Sequence, residues 1–234
     1  MSSSSKKLIA VVGATGKQGG AVVRALQAGG QFKVRALTRN PEKHRGLGDE
    51  VVEADLDRPE TLEAAFEGAH GVFLVTNFWE AGTGEPRQAS AAVRAAKDAG
   101  VKHFVWSTLP DVEAISGGKF HVPHFTGKAR VDRIVEEAGF ANHTFVIAPF
   151  FYQNLVGSVA PQKQADGSLG WALSLDPSVC CIHMDGRGVC QQRHALALSR
   201  KRGRAAGRGL EAHVAARSHP AERQRVSIAR KICG

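Results

Sequence analysis

Short apolar runs alternate with amphipathic stretches along most of this chain. The runs are about five residues long, as expected of strands buried in a parallel sheet. The amphipathic stretches carry apolar residues at helical spacing, for example Val22, Val23 and Leu26 before Gly29. The predicted strands are residues 8–12, 33–37, 50–54, 71–76, 101–107 and 144–148, with helices predicted between them, for example at 60–66. This alternation predicts an α/β fold with a doubly wound parallel sheet, whose ligand lies beyond the carboxyl ends of the strands.

The chain divides into four predicted segments. We expect a flexible N-terminus at 1–7, the sheet domain at 8–154, the start of a C-terminal lobe at 155–177 and a basic tail at 178–234. The apolar runs are far shorter than the roughly 18 residues that span a bilayer. The first seven residues are not followed by the apolar segment of a secretory signal. We therefore expect a soluble, cytosolic protein with no membrane partner.

A glycine-rich segment, residues 13–19, lies between the first predicted strand and the first predicted helix. Gly13 permits a tight turn, Gly16 lets backbone N–H groups approach a diphosphate, and Gly19 permits close packing of helix on strand. The helix N-terminus adds partial positive charge. The alternative is a glycine-rich turn without a ligand. With the surrounding strand–helix units, the segment favours a Rossmann-type dinucleotide-binding domain.

The end of the second predicted strand indicates which dinucleotide is bound. NAD-binding domains place an acidic residue there to hold the ribose 2′-hydroxyl, whereas this chain has Arg39. A guanidinium can pair with a 2′-phosphate, with Lys43 as a second charge, so NADP(H) is predicted. The alternative is a solvated loop arginine. Asp55, after the third strand, is a candidate for the adenine edge, or else a helix N-cap.

Charge and cysteine are concentrated in the tail. The formal net charge is +9, and residues 178–234 hold 12 of the 31 Lys and Arg but 3 of the 22 Asp and Glu. All four cysteines lie there too. The sheet domain therefore has neither a disulfide framework nor a cysteine metal site.

Five motifs in order resemble the NmrA-like family, an atypical branch of the short-chain dehydrogenase/reductases. They are residues 13–19, 38–41, 75–80, 124–128 and 151–154, and the resemblance covers roughly residues 6–177. It is closest to the cytosolic NADP(H)-sensing redox-sensor members. Ala89 stands where the family has a positive residue, so that contact is not expected. The resemblance implies that the cofactor is lined by Gly13, Ala14, Thr15, Gly16, Lys17, Gln18, Gly19, Arg39, Asn40, Lys43, Asp55, Leu56, Thr76, Asn77, Phe78, Lys128, Phe151, Tyr152 and Asn154.

The usual catalytic pair of the superfamily is incomplete. That chemistry uses a tyrosine as general acid and a lysine four residues later. The single tyrosine, Tyr152, is followed four residues later by Val156, and Lys128 is preceded by His124. Lys128 can still bind the nicotinamide ribose, and His124 is a weak candidate proton donor or else a wall of the cleft. His121 and His124 lack an evident third ligand, so no metal site is expected.

Two further residues near the strand ends have open interpretations. Ser107 follows the fifth predicted strand, where the superfamily often has a catalytic serine, and otherwise satisfies local backbone. Trp79, in the stretch 77–80, is predicted to pack as a lid over the cofactor; the alternative is a stacking platform for nucleic acid.

The tail, residues 178–234, has three competing interpretations. It is a disordered basic arm that binds nucleic acid or acts as a nuclear-localisation signal, an irregular small subdomain, or sequence out of frame with the family. In the last case the family's C-terminal lobe is truncated or replaced by an anomalous tail. Residues 182–185 still resemble the strand expected there.

Three functions follow from these features. The first is an NADP(H)-binding regulatory redox sensor that acts on a protein partner. It would be cytoplasmic or also nuclear, and a homodimer is one possible assembly. The second is an NADPH-dependent reductase of quinone-like acceptors. The third, weaker hypothesis is nucleic-acid association through the basic tail.

Overall fold

A six-stranded, wholly parallel sheet forms the centre of the computed structural model. The structure describes residues 5–151, 153–154, 157, 160–163, 165, 167–170 and 183–184. The strand order is β3-β2-β1-β4-β5-β6. The strands are β1 Lys7–Val11, β2 Phe32–Thr38, β3 Glu50–Glu53, β4 Gly71–Leu74, β5 His103–Thr108 and β6 Asn142–Ile147. This order reverses between β1 and β4, which confirms the predicted Rossmann-type doubly wound sheet.

Helices cover both faces of the sheet. They are α1 Lys17–Gly29, α2 Glu60–Phe66, α3 Phe78–Ala81, α4 Glu85–Asp98, α5 Val112–Ile115 and α6 Pro123–Glu137, with 3₁₀ turns at Pro41–His44 and Gly82–Gly84. Alternate residues of the central strands point to opposite faces. Val11 and Phe73 pack with Val23 of α1. Ala10 and Val72 belong to a separate core cluster, which α2, α4 and α6 also line.

The central strands are apolar because both faces are covered. All four residues of β4 are buried, whereas the edge strand β3 has no fully buried residue. β1 pairs with β4 through Ile9 and Gly71, although the two lie far apart along the chain. The continuous apolar runs of the sequence therefore correspond to strands buried between helix layers.

Strand ends differ from prediction by one to a few residues. The predicted helix at 60–66 matches α2, but the fourth strand stops at Leu74 rather than Thr76. The fifth begins at His103 rather than Val101, because the Val101 amide donates to the carbonyl of Ala96 at the end of α4. Residues 101–102 therefore belong to the helix-to-strand turn.

A second unit begins at Pro149. In it β7 Phe150–Phe151 pairs in parallel with β10 His183–Met184, and β8 Gln162–Lys163 pairs antiparallel with β9 Leu169–Gly170. The predicted strand at 182–185 is thus present as β10. The predictions for the rest of the tail fall outside the described residues. None of the helices in the described part of the chain is long and apolar enough to cross a membrane.

Candidate functional site

The glycine segment forms a tight turn between β1 and α1. Gly13 has a φ of 69°, and a Cβ there would lie 2.7 Å from Cγ1 of Val75. The Gly16 amide donates to the Gly13 carbonyl at 2.9 Å and closes the turn. Left-handed backbone and lack of space both require glycine at position 13.

Gly19 brings the start of α1 directly against this turn. A Cβ on Gly19 would lie 2.1 Å from the Gly13 carbonyl oxygen and 2.5 Å from its carbonyl carbon. Both are backbone atoms, so the contact cannot be relieved by a side-chain rotation. Gly16 is the N-cap and its helix has no side-chain cap and no acidic residue in the first turn. The helix therefore begins with amide donors and partial positive charge at the carboxyl edge of the sheet.

Gln18 connects this helix start to β5. Its side chain is 7% exposed, and its Oε1 accepts a hydrogen bond from the Ser107 hydroxyl at 2.9 Å. The amide nitrogen, Nε2, is buried and has no partner among the described residues. Turning the amide over would leave the oxygen in that position instead. The Ser107 hydroxyl thus contacts the start of α1. The alternative given by the sequence was a hydrogen bond to local backbone.

Arg39 lies just past the end of β2, as predicted. Its side chain is 66% exposed, and its Nη2 lies 3.1 Å from Oε2 of Glu80 on α3. The Asn40 side chain accepts from the Lys43 amide at 3.3 Å, which begins the 3₁₀ turn. Arg39, Asn40 and Lys43 therefore occupy one exposed turn at the carboxyl edge of the sheet.

Asp55 and Leu56 follow β3. The Asp55 carboxylate accepts from the Asp57 amide at 3.0 Å and lies 3.5 Å from Nε of Arg58. The alternative role of Asp55 as a helix N-cap is wrong, since Pro59 occupies the N-cap of α2. Leu56 packs against the larger core cluster.

A buried ion pair links α4, α6 and the end of β4. The Lys128 ammonium lies 2.7 Å from Oε1 of Glu85, 2.8 Å from the Thr76 hydroxyl and 3.0 Å from the Thr76 carbonyl. Oε1 of Glu85 also accepts from that hydroxyl at 2.7 Å, while its Oε2 is buried without a partner among the described residues. Burial lowers the pKa of Lys128, and the Glu85 carboxylate opposes this shift. All three ammonium hydrogens therefore have acceptors within the protein.

Four rings form an aromatic cluster, in which Trp79 is exposed and Phe78, His124 and Phe125 are half-buried. The His124 ring centroid lies 5.6 Å from Phe78, 5.4 Å from Trp79 and 4.8 Å from Phe125. Burial lowers the pKa of His124; the Glu85 charge opposes this shift and the Lys128 charge adds to it. Trp79 is 80% exposed despite these contacts, and its packing as a lid over the cofactor stays a prediction.

The structure brings most of the predicted residues of the sheet domain to the carboxyl edge of one sheet. The Asn77 side chain caps α3 by accepting from the Trp79 amide at 3.2 Å. Phe151 and Asn154 belong to the second unit, and Tyr152 lies outside the described residues. In the described part of the chain no group of three or more His, Cys, Asp or Glu could hold a metal ion.

Two acidic residues of this region were not predicted. Glu80 and Glu85 flank the 3₁₀ turn between α3 and α4, and each pairs with a predicted basic residue. In the sequence both resemble ordinary surface acids. Two signals are available. Glu80 lies in the motif 75–80, and Pro86 predicts that a helix starts at Glu85 without predicting its burial.

Comparison with known proteins identifies relatives of the whole sheet domain. The family model described as the NmrA-like family matches residues 5–190. An NmrA-like family domain-containing protein of Dictyostelium discoideum is 36% identical over 77% of this chain and 64% of its own length. An NmrA-like family domain-containing oxidoreductase of Aspergillus hancockii is 38% identical over 66% of this chain and 50% of its own length. The chain thus spans between half and two thirds of these relatives.

Solved structures share the same architecture. NmrA, a negative transcriptional regulator, has been solved in complex with NADP and superposes with a TM-score of 0.67 at 28% identity, over 79% of this chain and 59% of that protein. Triphenylmethane reductase of Citrobacter sp., complexed with NADP(H), gives 0.54 at 27% identity, over 64% of this chain and 52% of that protein. Regulators and reductases are therefore both among the structural neighbours.

Proposed function

Because this chain belongs to the NmrA-like family, we propose that it binds NADP(H) and acts as a regulatory redox sensor. In this proposal the protein responds to the balance of NADPH and NADP⁺ and changes its association with a protein partner. A cytoplasmic location belongs to the proposal, as does a nuclear one if the tail is a localisation signal. Assembly as a homodimer is compatible with it.

The observation that carries the proposal is the contact between Gly19 and Gly13. Where α1 meets the turn after β1, this close approach leaves no space for a side chain on Gly19. A diphosphate at this point would accept hydrogen bonds from the first amides of α1. The buried Nε2 of Gln18, without a partner among the described residues, is a donor beside the same helix start. The residues present therefore fit a dinucleotide.

The candidate residues divide by the part of NADP(H) that each would hold. The diphosphate would lie on residues 13–19. The 2′-phosphate would lie on Arg39, with Asn40 and Lys43 in the same turn, and the adenine near Asp55 and Leu56. Thr76, Asn77, Phe78 and Lys128 would line the nicotinamide side. Relatives solved with NADP, with NADP(H) and, for NmrA, also with NAD support a nicotinamide dinucleotide as the ligand.

The buried ion pair favours a sensor over a standard dehydrogenase. When bound, NADPH supplies a hydride, and a reductase of this superfamily also needs a placed proton donor and a lysine that orients the ribose. Here His124 stands in place of the tyrosine, and the Lys128 ammonium already has three acceptors within the protein. Contact of Lys128 with a ribose would require it to exchange one of these acceptors.

The second candidate is an NADPH-dependent reductase of quinone-like acceptors. The aromatic cluster favours it, because the exposed Trp79 offers ring surface to a planar molecule, next to the His124 imidazole. Relatives named as oxidoreductases support it as well. The lowered pKa of His124 leaves that imidazole mostly neutral at pH 7, which weakens it as a proton donor.

The domain boundaries are part of the proposal. We assign residues 8–154 to NADP(H) binding, 155–177 to the start of a C-terminal lobe, and 178–234 to a basic tail. The family match ends at residue 190, which supports a loss of family-like sequence within the tail.

Sequencing the coding DNA tests the hypothesis of a shifted reading frame in the tail, because another frame would then encode family-like sequence. Loss of salt-dependent DNA binding on deletion of 178–234 would support a nucleic-acid role.

Two measurements on the full-length protein test the function. Isothermal titration calorimetry should show tighter binding of NADPH than of NADH. Steady-state NADPH oxidation with a panel of quinones should show no turnover above the rate without protein. Preference for NADH would contradict the assignment of Arg39, and quinone-dependent turnover would favour the reductase.

A further inference from the structure

An ion pair already occupies the guanidinium that is assigned to the 2′-phosphate. Nη2 of Arg39 lies 3.1 Å from Oε2 of Glu80, and the two residues come from different elements of the carboxyl edge. Arg39 follows β2, whereas Glu80 belongs to the single turn of α3. Within the described part of the chain, neither Arg39 nor Glu80 forms a second ion pair.

We propose that Glu80 is a specificity-determining residue, whose carboxylate competes with the nucleotide 2′-phosphate for Arg39. This inference rests on the proposed function, because it takes Arg39 as the 2′-phosphate ligand. The phosphate carries close to two negative charges at pH 7 and offers three acceptor oxygens. It therefore displaces a single carboxylate from the guanidinium, and the like charges then repel Glu80 from its place.

The competition acts on NADP(H) and not on NAD(H). A nucleotide with a free 2′-hydroxyl has no group of comparable charge, so the Arg39–Glu80 pair stays closed while it binds. A 2′-phosphate must break the pair first. The side chains are 66% and 58% exposed, so the pair is screened by water and the resulting loss of NADP(H) affinity is modest.

Opening the pair also changes the surroundings of Trp79. Trp79 precedes Glu80 in α3, and its ring centroid lies 5.4 Å from His124 and 5.5 Å from Phe78. α3 is a single turn that ends at Gly82, which has a φ of 53°. When the Glu80 side chain is released from Arg39, the Trp79 ring changes its contacts with Phe78 and His124. Binding of a 2′-phosphate is thereby transmitted to an exposed indole.

The test is Glu80→Gln, which keeps the side-chain size and removes the charge. We expect NADP⁺ to bind roughly two- to fivefold more tightly to this variant, the range that an exposed ion pair allows. NAD⁺ affinity should be unchanged, and the difference should shrink at high salt. Glu137→Gln is the matched control, because Glu137 forms an exposed pair with Arg133 at the far end of α6. It should change neither affinity.

Tryptophan fluorescence gives a second readout that needs no catalytic activity. NADP⁺ should change the emission of the wild-type protein more than NAD⁺ does, and Trp79→Phe should remove this difference. Equal effects of Glu80→Gln on both nucleotides, or no effect on NADP⁺, would overturn the role of Glu80. A wild-type protein that binds neither nucleotide would instead overturn the proposed function itself.

Discussion

The Lys128 ammonium lies 2.7 Å from the Glu85 carboxylate, with side chains 10% and 1% exposed. This pair joins the start of α4 to α6, and the Thr76 hydroxyl and carbonyl complete its hydrogen bonds. A buried charge is tolerated where a partner and hydrogen bonds replace the water that it has lost. The pair thus fixes the carboxyl end of β4 relative to two helices.

Removing one member of this pair should therefore be costly. We expect Lys128→Met to lower the free energy of unfolding by about 3–5 kcal/mol, because the Glu85 carboxylate stays buried without its partner. The measurement is urea unfolding of the full-length protein. The double variant Lys128→Met/Glu85→Gln should recover much of the loss, since no buried charge remains. Lys102→Met, at an exposed lysine, is the control and should change stability by no more than about 0.5 kcal/mol.

Replacement of Arg39 should remove the preference for a 2′-phosphate. We expect Arg39→Ala to weaken NADP(H) binding about tenfold, a modest loss because the side chain is exposed, and to leave NAD(H) binding unchanged. Calorimetric titration of both nucleotides measures the ratio. Arg133→Ala removes an exposed, paired arginine of α6 and should leave the ratio as it is. An Arg39→Ala protein that still prefers NADP(H) as the wild type does would refute the assignment.

The two ends of α1 offer a matched pair of glycine substitutions. Gly19→Ala places a methyl group 2.1 Å from the Gly13 carbonyl oxygen, so helix and turn must separate. We expect a loss of about 1–3 kcal/mol in stability and loss of dinucleotide binding. Gly29→Ala meets nothing within 4 Å and should keep binding intact, with a small gain in stability from its helix propensity. Equal dinucleotide affinity of both variants would contradict the proposed diphosphate site on residues 13–19.

Acidification should destabilise the fold through its half-buried histidines. Burial lowers the pKa of His103, and the charges of His70 and His143 add to this shift. Burial also lowers the pKa of His70 and of His124. The unfolded chain therefore takes up these protons at a higher pH than the folded chain does, so stability falls as the pH drops below the ordinary value of 6.5.

Urea unfolding at pH 7.5 and at pH 5.5 measures this effect. The free energy of unfolding should be smaller at pH 5.5, and the decrease should be smaller in His103→Gln. Glutamine keeps a polar atom near Thr144, to which Nε2 of His103 is hydrogen-bonded at 2.9 Å. An identical decrease in both proteins would show that His103 does not contribute.

The sheet was predictable because its burial is visible in the sequence. Strands covered on both faces, such as β4, need apolar residues without interruption, and glycines with positive φ end α1 and begin the turn at Gly13. Strand ends were less predictable. Val101 is apolar and buried like a strand residue, yet its amide completes a helix. Local hydrophobicity records burial and not hydrogen-bond pairing.

The pairings of the charged residues were not predictable. Glu85 and Lys128 are 43 residues apart, and Arg39 and Glu80 are 41 apart. Each one alone resembles a surface charge, and their meeting follows from strand order rather than from spacing. The exposure of Trp79 was not predictable for a similar reason, since the sequence specifies the residue type but not which residues pack against it.

The pairing of β1 with β4 has a consequence for how the chain folds. Ile9 and Gly71 are neighbours in the sheet, so its central ladder closes a loop that contains β2, β3 and two helices. Contacts so distant along the chain slow folding, because the entropy of closing the loop is lost before those contacts form. During synthesis on the ribosome, β1 cannot pair with β4 until β4 has emerged. During that interval an apolar strand edge is exposed, and it is the point at which a nascent chain is most open to aggregation.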